Sequence, residues 1–250
     1  MYREWAPDSR LAGRVACVWS NEATSAMTQL VVPDGCVDLI WGPKGALVAG
    51  PDTGPKSVRM APGARYTGIR FGPGAAGELF GVPLDSLRDL RVPLSDLERF
   101  AELSELEPFT ASAGPEPSSG PAGTRRPEPF SNVVQRALAL RLRGTPGPDP
   151  AAPAIAEALR AGRSVGEVAW DLGVSERQLL RRSLRAFGYG PKVLQRVVRF
   201  QRALRLARRG VTSAEVAAIS GYADQAHMAN EVRRLAGVPL SRLLDQRGGP

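Results

Sequence analysis

A repeat in the C-terminal half constrains this chain more than any other feature. Glu167-Val168-Ala169 recurs as Glu215-Val216-Ala217, Gly173 as Gly221 and Pro191 as Pro239, each 48 residues on. Leu179 answers to Met228 and Gly188 to Gly237, each 49 residues on, so one unit is present twice with a slightly longer second turn. Val165, Val168, Ala169 and Leu172 fall at i, i+3, i+4 and i+7, which predicts one apolar helix face. Gly173 suits a helix end, because glycine accepts the left-handed conformation there. Ser175 suits the cap of a second helix. That helix carries Arg177, Gln178, Arg181, Arg182 and Arg185, with Leu179, Leu180, Leu184 and Phe187 left to face inward. A short helix, a glycine turn and an arginine-rich helix describe a DNA-binding helix-turn-helix. Two packed helices with a solvated basic face would read the same in one unit, and the duplication weighs against that reading. In the second unit Asp224 is the cap, and Gln225, His227, Asn230, Arg233 and Arg234 lie on the helix that follows. Residues 192–209 read as a long joining helix with Val193, Val197, Phe200, Leu204 and Ala207 as its apolar stripe. Two units are too few for a solenoid.

The charge sits with the repeat. Residues 146–250 hold 17 Arg+Lys against 9 Asp+Glu, and residues 1–145 hold 16 of each, so the whole excess of +8 lies in the C-terminal part. A neutral part joined to a basic one suits a sensor joined to a nucleic-acid binder. An arginine-favouring base composition explains why only Lys44, Lys56 and Lys192 are lysines, but not the asymmetry. No apolar run approaches the roughly 20 residues that span a bilayer, and MYREWAPDSR has no signal-peptide core. A cytoplasmic, nucleoid-associated protein with no membrane contact is expected. Cys17, Cys36 and His227 are too few and too scattered for a zinc site, so neither metal nor cofactor is expected. With no histidine before residue 227 and no glycine-rich phosphate loop, catalytic residues are not expected either.

The N-terminal part predicts short strands at 14–19, 28–32, 36–41, 46–49 and 66–71, separated by Pro33-Asp34-Gly35, Gly42-Pro43-Lys44-Gly45, Gly50-Pro51-Asp52 and Gly72-Pro73-Gly74. Helices are expected at 74–80, 83–89 and 95–106, the last with a Ser95/Glu98 capping box. Trp5, Trp19, Trp41, Tyr66 and Phe71 lie near strand ends, with Asp34, Asp38 and Arg70 in or beside apolar runs. Trp19, Asp34, Asp38, Trp41 and Arg70 are therefore a candidate ligand pocket. The plainer alternative puts the aromatics in the core and gives Asp34 a turn-shaping role. Residues 107–129 read as a Pro/Gly/Ser-rich insertion, 130–143 as a helix and 144–153 as a break. The expected class is α+β. A small β-barrel or sandwich with helices spans 1–106, the insertion, helix and linker span 107–149, and an all-α domain of two helix-turn-helix units joined by a long helix spans 150–250.

The segments SVGEVAWDLGVSERQLLRR, GYGPKVLQRVVRFQRAL and EVAAISGYADQAHMANEVRRLAGVPLSRLL resemble the AraC/XylS transcription regulators over residues 150–247. VPDGCVDLIWGP and GPDTGP with TGIRFGPG are similar to a sensor-type domain on one branch of that family, whose ligand is generally unassigned. The resemblance implies sequence-specific binding in the major groove of double-stranded DNA, with Arg177, Gln178, Arg181, Gln225, His227 and Asn230 at base edges. It leaves Ser175, Arg182, Arg185, Arg233 and Arg234 for phosphate. It also implies a bacterial protein, a small-molecule effector, RNA polymerase as a further partner, and a monomer or homodimer. The sequence departs from the family at Ser183, where Phe is usual, and at Met228, Asn230 and Val232. The rival readings are an enzymatic N-terminal half (repair or hydrolase) and an N-terminal half that only dimerises or binds a partner.

Overall fold

The computed structural model describes residues 1–106 and 129–245. Most of the expected insertion, 107–128, lies outside the described residues. Strand alternation builds the N-terminal half. Strands β1 (Tyr2–Trp5), β2 (Val15–Glu22), β3 (Met27–Val31), β4 (Val37–Gly42), β5 (Gly45–Ala49), β6 (Lys56–Met60), β7 (Arg65–Phe71) and β8 (Arg91–Pro93) form two antiparallel sheets. The larger has the order β1-β2-β7-β4-β5-β8, and β3 pairs with β6 in a separate ribbon. In β4, Val37, Leu39 and Trp41 are buried on one face while Asp38 and Ile40 point to the other. The first face carries the hydrophobic core, with Val18, Val48, Ile69 and Phe71 from neighbouring strands. Helix α2 (Phe130–Leu142) packs Val134, Leu138 and Ala139 onto that core.

Residues 94–104 depart from expectation. Two short 3₁₀ turns, Leu94–Asp96 and Glu98–Phe100, precede helix α1 (Ala101–Ser104). The Ser95/Glu98 box is not formed, and Ser95 Oγ instead donates to Asp96. The cause is the spacing of Leu94, Leu97, Phe100 and Leu103, all buried and three apart. That period matches the 3.0 residues per turn of a 3₁₀ helix, not 3.6. Residues 74–80 form turns rather than a helix, with Gly74 and Gly77 at positive φ.

The C-terminal half is helical: α3 (Ala152–Arg160), α4 (Val165–Asp171), α5 (Glu176–Phe187), α6 (Pro191–Arg208), α7 (Ser213–Ile219), α8 (Gln225–Ala236) and α9 (Leu240–Asp245). The pairs α4–α5 and α7–α8 are the two helix-turn-helix units, and α6 joins them. Local chemistry repeats along with the sequence. Ser164 with Glu167 and Thr212 with Glu215 make capping boxes at α4 and α7. Gly188 and Gly237 close α5 and α8 at φ 78° and 71°. Helix α6, about 27 Å long at 1.5 Å per residue, serves two cores. Leu194, Val197 and Val198 face α3–α5, while Phe200, Ala203 and Leu204 face α7–α9. Val193 and Ala207 from the expected stripe are only partly buried. Among the described residues no helix is long and apolar enough to cross a membrane.

Candidate DNA interface and effector pocket

Capping chemistry sets the entry of each second helix and decides which side chains are free. On α5, Ser175 Oγ accepts the Gln178 N–H at 3.2 Å, and Gln178 Oε1 accepts the Ser175 N–H at 2.8 Å. The Gln178 carbonyl is thus occupied, and its amide donor group remains. Arg177 and Arg181 are exposed and make no ion pair or hydrogen bond among the described residues. Arg182 and Arg185 turn elsewhere. Arg182 lies 3.7 Å from Asp149, and Arg185 pairs with Glu78 of the N-terminal half. Both line a cleft between the halves, with Gly77 and Gly147, and are thereby less free for the expected phosphate contact than Arg177 and Arg181.

On α8, Gln225, Asn230 and Arg233 are exposed without a partner among the described residues. His227 is half-buried. Its backbone N–H donates to Asp224 Oδ1 at 2.7 Å, its Nδ1 accepts the Ala223 N–H at 3.3 Å, and its ring meets Tyr222 edge-on. It belongs to the helix cap, with only its far nitrogen left over. Arg234 is paired with Glu231 at 3.2 Å. Sequence reasoning missed Glu231, a buried carboxylate that takes Arg196 of α6 at 2.9 Å and has Arg199 at 3.7 Å. Arg199 also lies over the Tyr222 ring. An acid on the inward face of a basic helix is the signal that could have found it.

The polar face of the larger sheet, closed over by the β3–β6 ribbon, encloses a cavity of about 210 Å³. Trp19, Asp34, Asp38 and Arg70 line it, as do Tyr2, Cys36, Tyr66, Arg91 and the apolar side chains of Val31, Val58 and Met60. Trp41 does not. Strand alternation sends it to the opposite face, where it is buried and donates to the Leu103 carbonyl at 3.2 Å. Trp19 lies across Gly68 of β7, where any Cβ would sit 2.1 Å from the indole ring. The indole N–H donates to Asp38 at 2.8 Å. Asp38 also holds Arg70 through Nε at 3.1 Å and Nη2 at 3.2 Å. Burial works against the Arg70 charge, and Asp38 and Asp34 overcome it, so the guanidinium stays protonated more firmly than an ordinary arginine. Across the cavity Arg91 makes a two-pronged pair with Asp52 at 3.0 and 2.6 Å.

The two halves meet at the loops that edge this cavity. Gly50 and Asp52 line it, and the same loop, residues 50–55, reaches the caps of both second helices. A Cβ on Gly188 would lie 2.4 Å from Pro51, and one on Gly237 would lie 3.2 Å from Pro55. Tyr189 is fully buried, with its hydroxyl beside Gly35. The residue before this turn, Phe187, meets Gly74. Gln201 of α6 donates to the Pro33 carbonyl at 2.7 Å, and Val32 enters the second helical core. At Ser183, where the resemblance leads one to expect Phe, the side chain is buried and its hydroxyl donates to the Tyr189 carbonyl at 2.8 Å.

Both thiols are free. Burial pushes Cys17 up to about 11 and Cys36 well above the ordinary thiol value, with nearby carboxylates adding to each. Such thiols are weak nucleophiles near neutral pH. Among the described residues no group of His, Cys, Asp and Glu is placed to hold a metal.

Two family models match the sequence. Residues 3–93 match a family described as a domain of unknown function (DUF6597), and residues 168–246 match a helix-turn-helix domain. No curated protein matches the chain by sequence. Among solved structures, apo ToxT from Vibrio cholerae, as a point variant, is 11% identical with a TM-score of 0.48, covering 91% of this chain and 97% of that one. Wild-type ToxT from the same organism, bound to an unsaturated fatty acid, is 9% identical with a TM-score of 0.45, covering 96% of each chain.

Proposed function

We propose that this chain, which carries a helix-turn-helix domain of the AraC/XylS type, is a sequence-specific transcription regulator whose N-terminal cavity takes a small effector. The observation that carries the reading is the loop 50–55, which lines the cavity and also seats the caps of both reading helices. A molecule that shifts Asp52 or Gly50 therefore bears on the placement of α5 and α8 together. A ligand changes an equilibrium only through a difference in its contact with two states, and this loop is where that difference would arise.

In this reading Arg177, Gln178, Arg181, Gln225 and Asn230 face base edges in two successive stretches of major groove. His227 contributes through its remaining nitrogen, and Ser175, Arg233 and Arg234 lie nearer the phosphates. Double-stranded DNA is the main partner, RNA polymerase a further one, and the cytoplasm the place of action. Two unlike units on one helix suit an asymmetric site, so one copy suffices.

The test is selection of bound sequences from random duplexes by the full chain. The expected result is a two-part, non-palindromic site with its parts about one helical turn apart. A single short half-site, or no enrichment, would count against the reading.

A further inference from the structure

The cavity has a charge pattern that selects among ligands. Its lining holds the carboxylates of Asp34, Asp38 and Asp52 and the guanidiniums of Arg70 and Arg91, which leaves one net negative charge. Both arginines are already engaged. Arg70 is chelated by Asp38, with Asp34 and Glu4 each 3.9 Å from its Nη1, and Arg91 is chelated by Asp52. An anionic ligand would have to compete with three carboxylates at Arg70 or displace Asp52 from Arg91.

Asp34 stands differently. Its Oδ1 accepts the Cys36 N–H at 2.8 Å, and among the described residues its Oδ2 has no cation nearer than Arg70 at 3.9 Å, beyond hydrogen-bond reach. The buried Tyr189 hydroxyl, with no hydrogen-bond partner among the described residues, lies beside Gly35 behind this turn and does not line the cavity. Beside the carboxylates, on the same face of the larger sheet, stand the aromatic rings of Tyr2, Trp19 and Tyr66, with Tyr2 and Trp19 rings 6.0 Å apart. The Trp19 indole donates to Asp38, which makes its ring more electron-rich and a better face for a cation. At about 210 Å³ the space is smaller than the roughly 300–1,000 Å³ usual for drug-sized ligands, so it suits a compact molecule rather than a long chain.

Building on the effector reading above, we infer that the cavity selects a compact organic cation, an ammonium group on a short apolar or aromatic body. The ammonium sits between Asp34 and the aromatic rings, and the apolar body lies against Val31, Val58 and Met60.

The probes are three soluble molecules of one shape that differ at the head: 3-phenylpropylamine, 3-phenylpropanol and 3-phenylpropanoate. Each is titrated into the full chain by calorimetry, and DNA affinity is measured on the same preparation with its selected duplex. The amine is expected to bind about tenfold or more tighter than the carboxylate, with the alcohol between them. Asp34→Asn keeps an oxygen for the Cys36 N–H, so it is expected to keep alcohol binding and erase the amine's advantage. Equal binding of amine and carboxylate, a tighter carboxylate, or a preference that survives Asp34→Asn would overturn the inference. A preparation that binds the duplex but none of the three compounds overturns it together with the effector half of the functional reading, and leaves the DNA half standing. An amine that binds as expected without changing DNA affinity keeps the inference and removes the regulatory link.

Discussion

Arg181 and Arg185 share one helix and differ in what they are free to do. Arg181 has no partner among the described residues, whereas Arg185 is paired with Glu78. Arg181→Ala is expected to weaken binding to the selected duplex by about 1–3 kcal/mol and leave random-sequence binding nearly unchanged, the mark of a base contact. Arg185→Ala should leave the slope of affinity against salt unaltered; a slope lowered by about one would return it to phosphate. The thiols offer a check on the rival enzymatic reading. With Cys17 raised to about 11, its thiolate is scarcer at pH 8 than that of a free cysteine, so alkylation of the native chain should be slow at neutral pH, climb steadily with pH and level off only above about 11. Fast modification at neutral pH, followed by mass spectrometry, would contradict that. At this scale the sequence was informative about residue type and silent about side. Asp38 and Trp41 are three residues apart in one strand, so alternation must put them on opposite faces. Which face bore the core depended on α2 and the β3–β6 ribbon, neither of which is local to β4.

Elements were legible where one period was long and undisturbed. The two helix-turn-helix units and α6 follow from 3.6-residue spacing and their caps. Strands β1, β6 and β8 were not anticipated. β1 and β8 are short edge strands, and β6 alternates Val58 and Met60 with exposed Ser57 and Arg59, a signal masked by its charges. Glu231 shows what spacing alone does not reveal: a carboxylate that fastens α8 to α6 through Arg196 and Arg199. Glu231→Ala leaves the guanidiniums of Arg196, Arg199 and Arg234 without their counter-charge; these are partly solvated, so a loss of about 1.5–3 kcal/mol is expected, the range for a hydrogen bond to a charged group. The expected outcome is loss of contacts over the second half of the DNA site in a footprint, with the first half retained. Gly68→Ala acts on the sheet. With a Cβ 2.1 Å from the Trp19 ring, the indole must move toward the cavity. A loss of about 1–3 kcal/mol in urea unfolding is expected, along with loss of amine binding.

At the scale of the molecule, contact between the halves was the least legible part. The turns Pro33-Asp34-Gly35, Gly50-Pro51-Asp52 and Gly72-Pro73-Gly74 were visible as turns, but nothing local shows that a surface loop is also a seat for a distant helix cap. Gly188→Ala tests the seat. It meets Pro51 at 2.4 Å and must hold φ 78° with a side chain. Limited proteolysis is expected to cut the variant faster between its halves, and any effector dependence of DNA affinity is expected to fade while DNA binding itself persists. The shared loop has a consequence for descent as well as for mechanism. A lineage cannot exchange the front half of this protein as a cassette, because the incoming half must bring a loop of matching length and two prolines where Pro51 and Pro55 meet the paired glycines. Swaps made at a linker alone should yield readers that still find their sites but answer to nothing, until that loop is carried across with them.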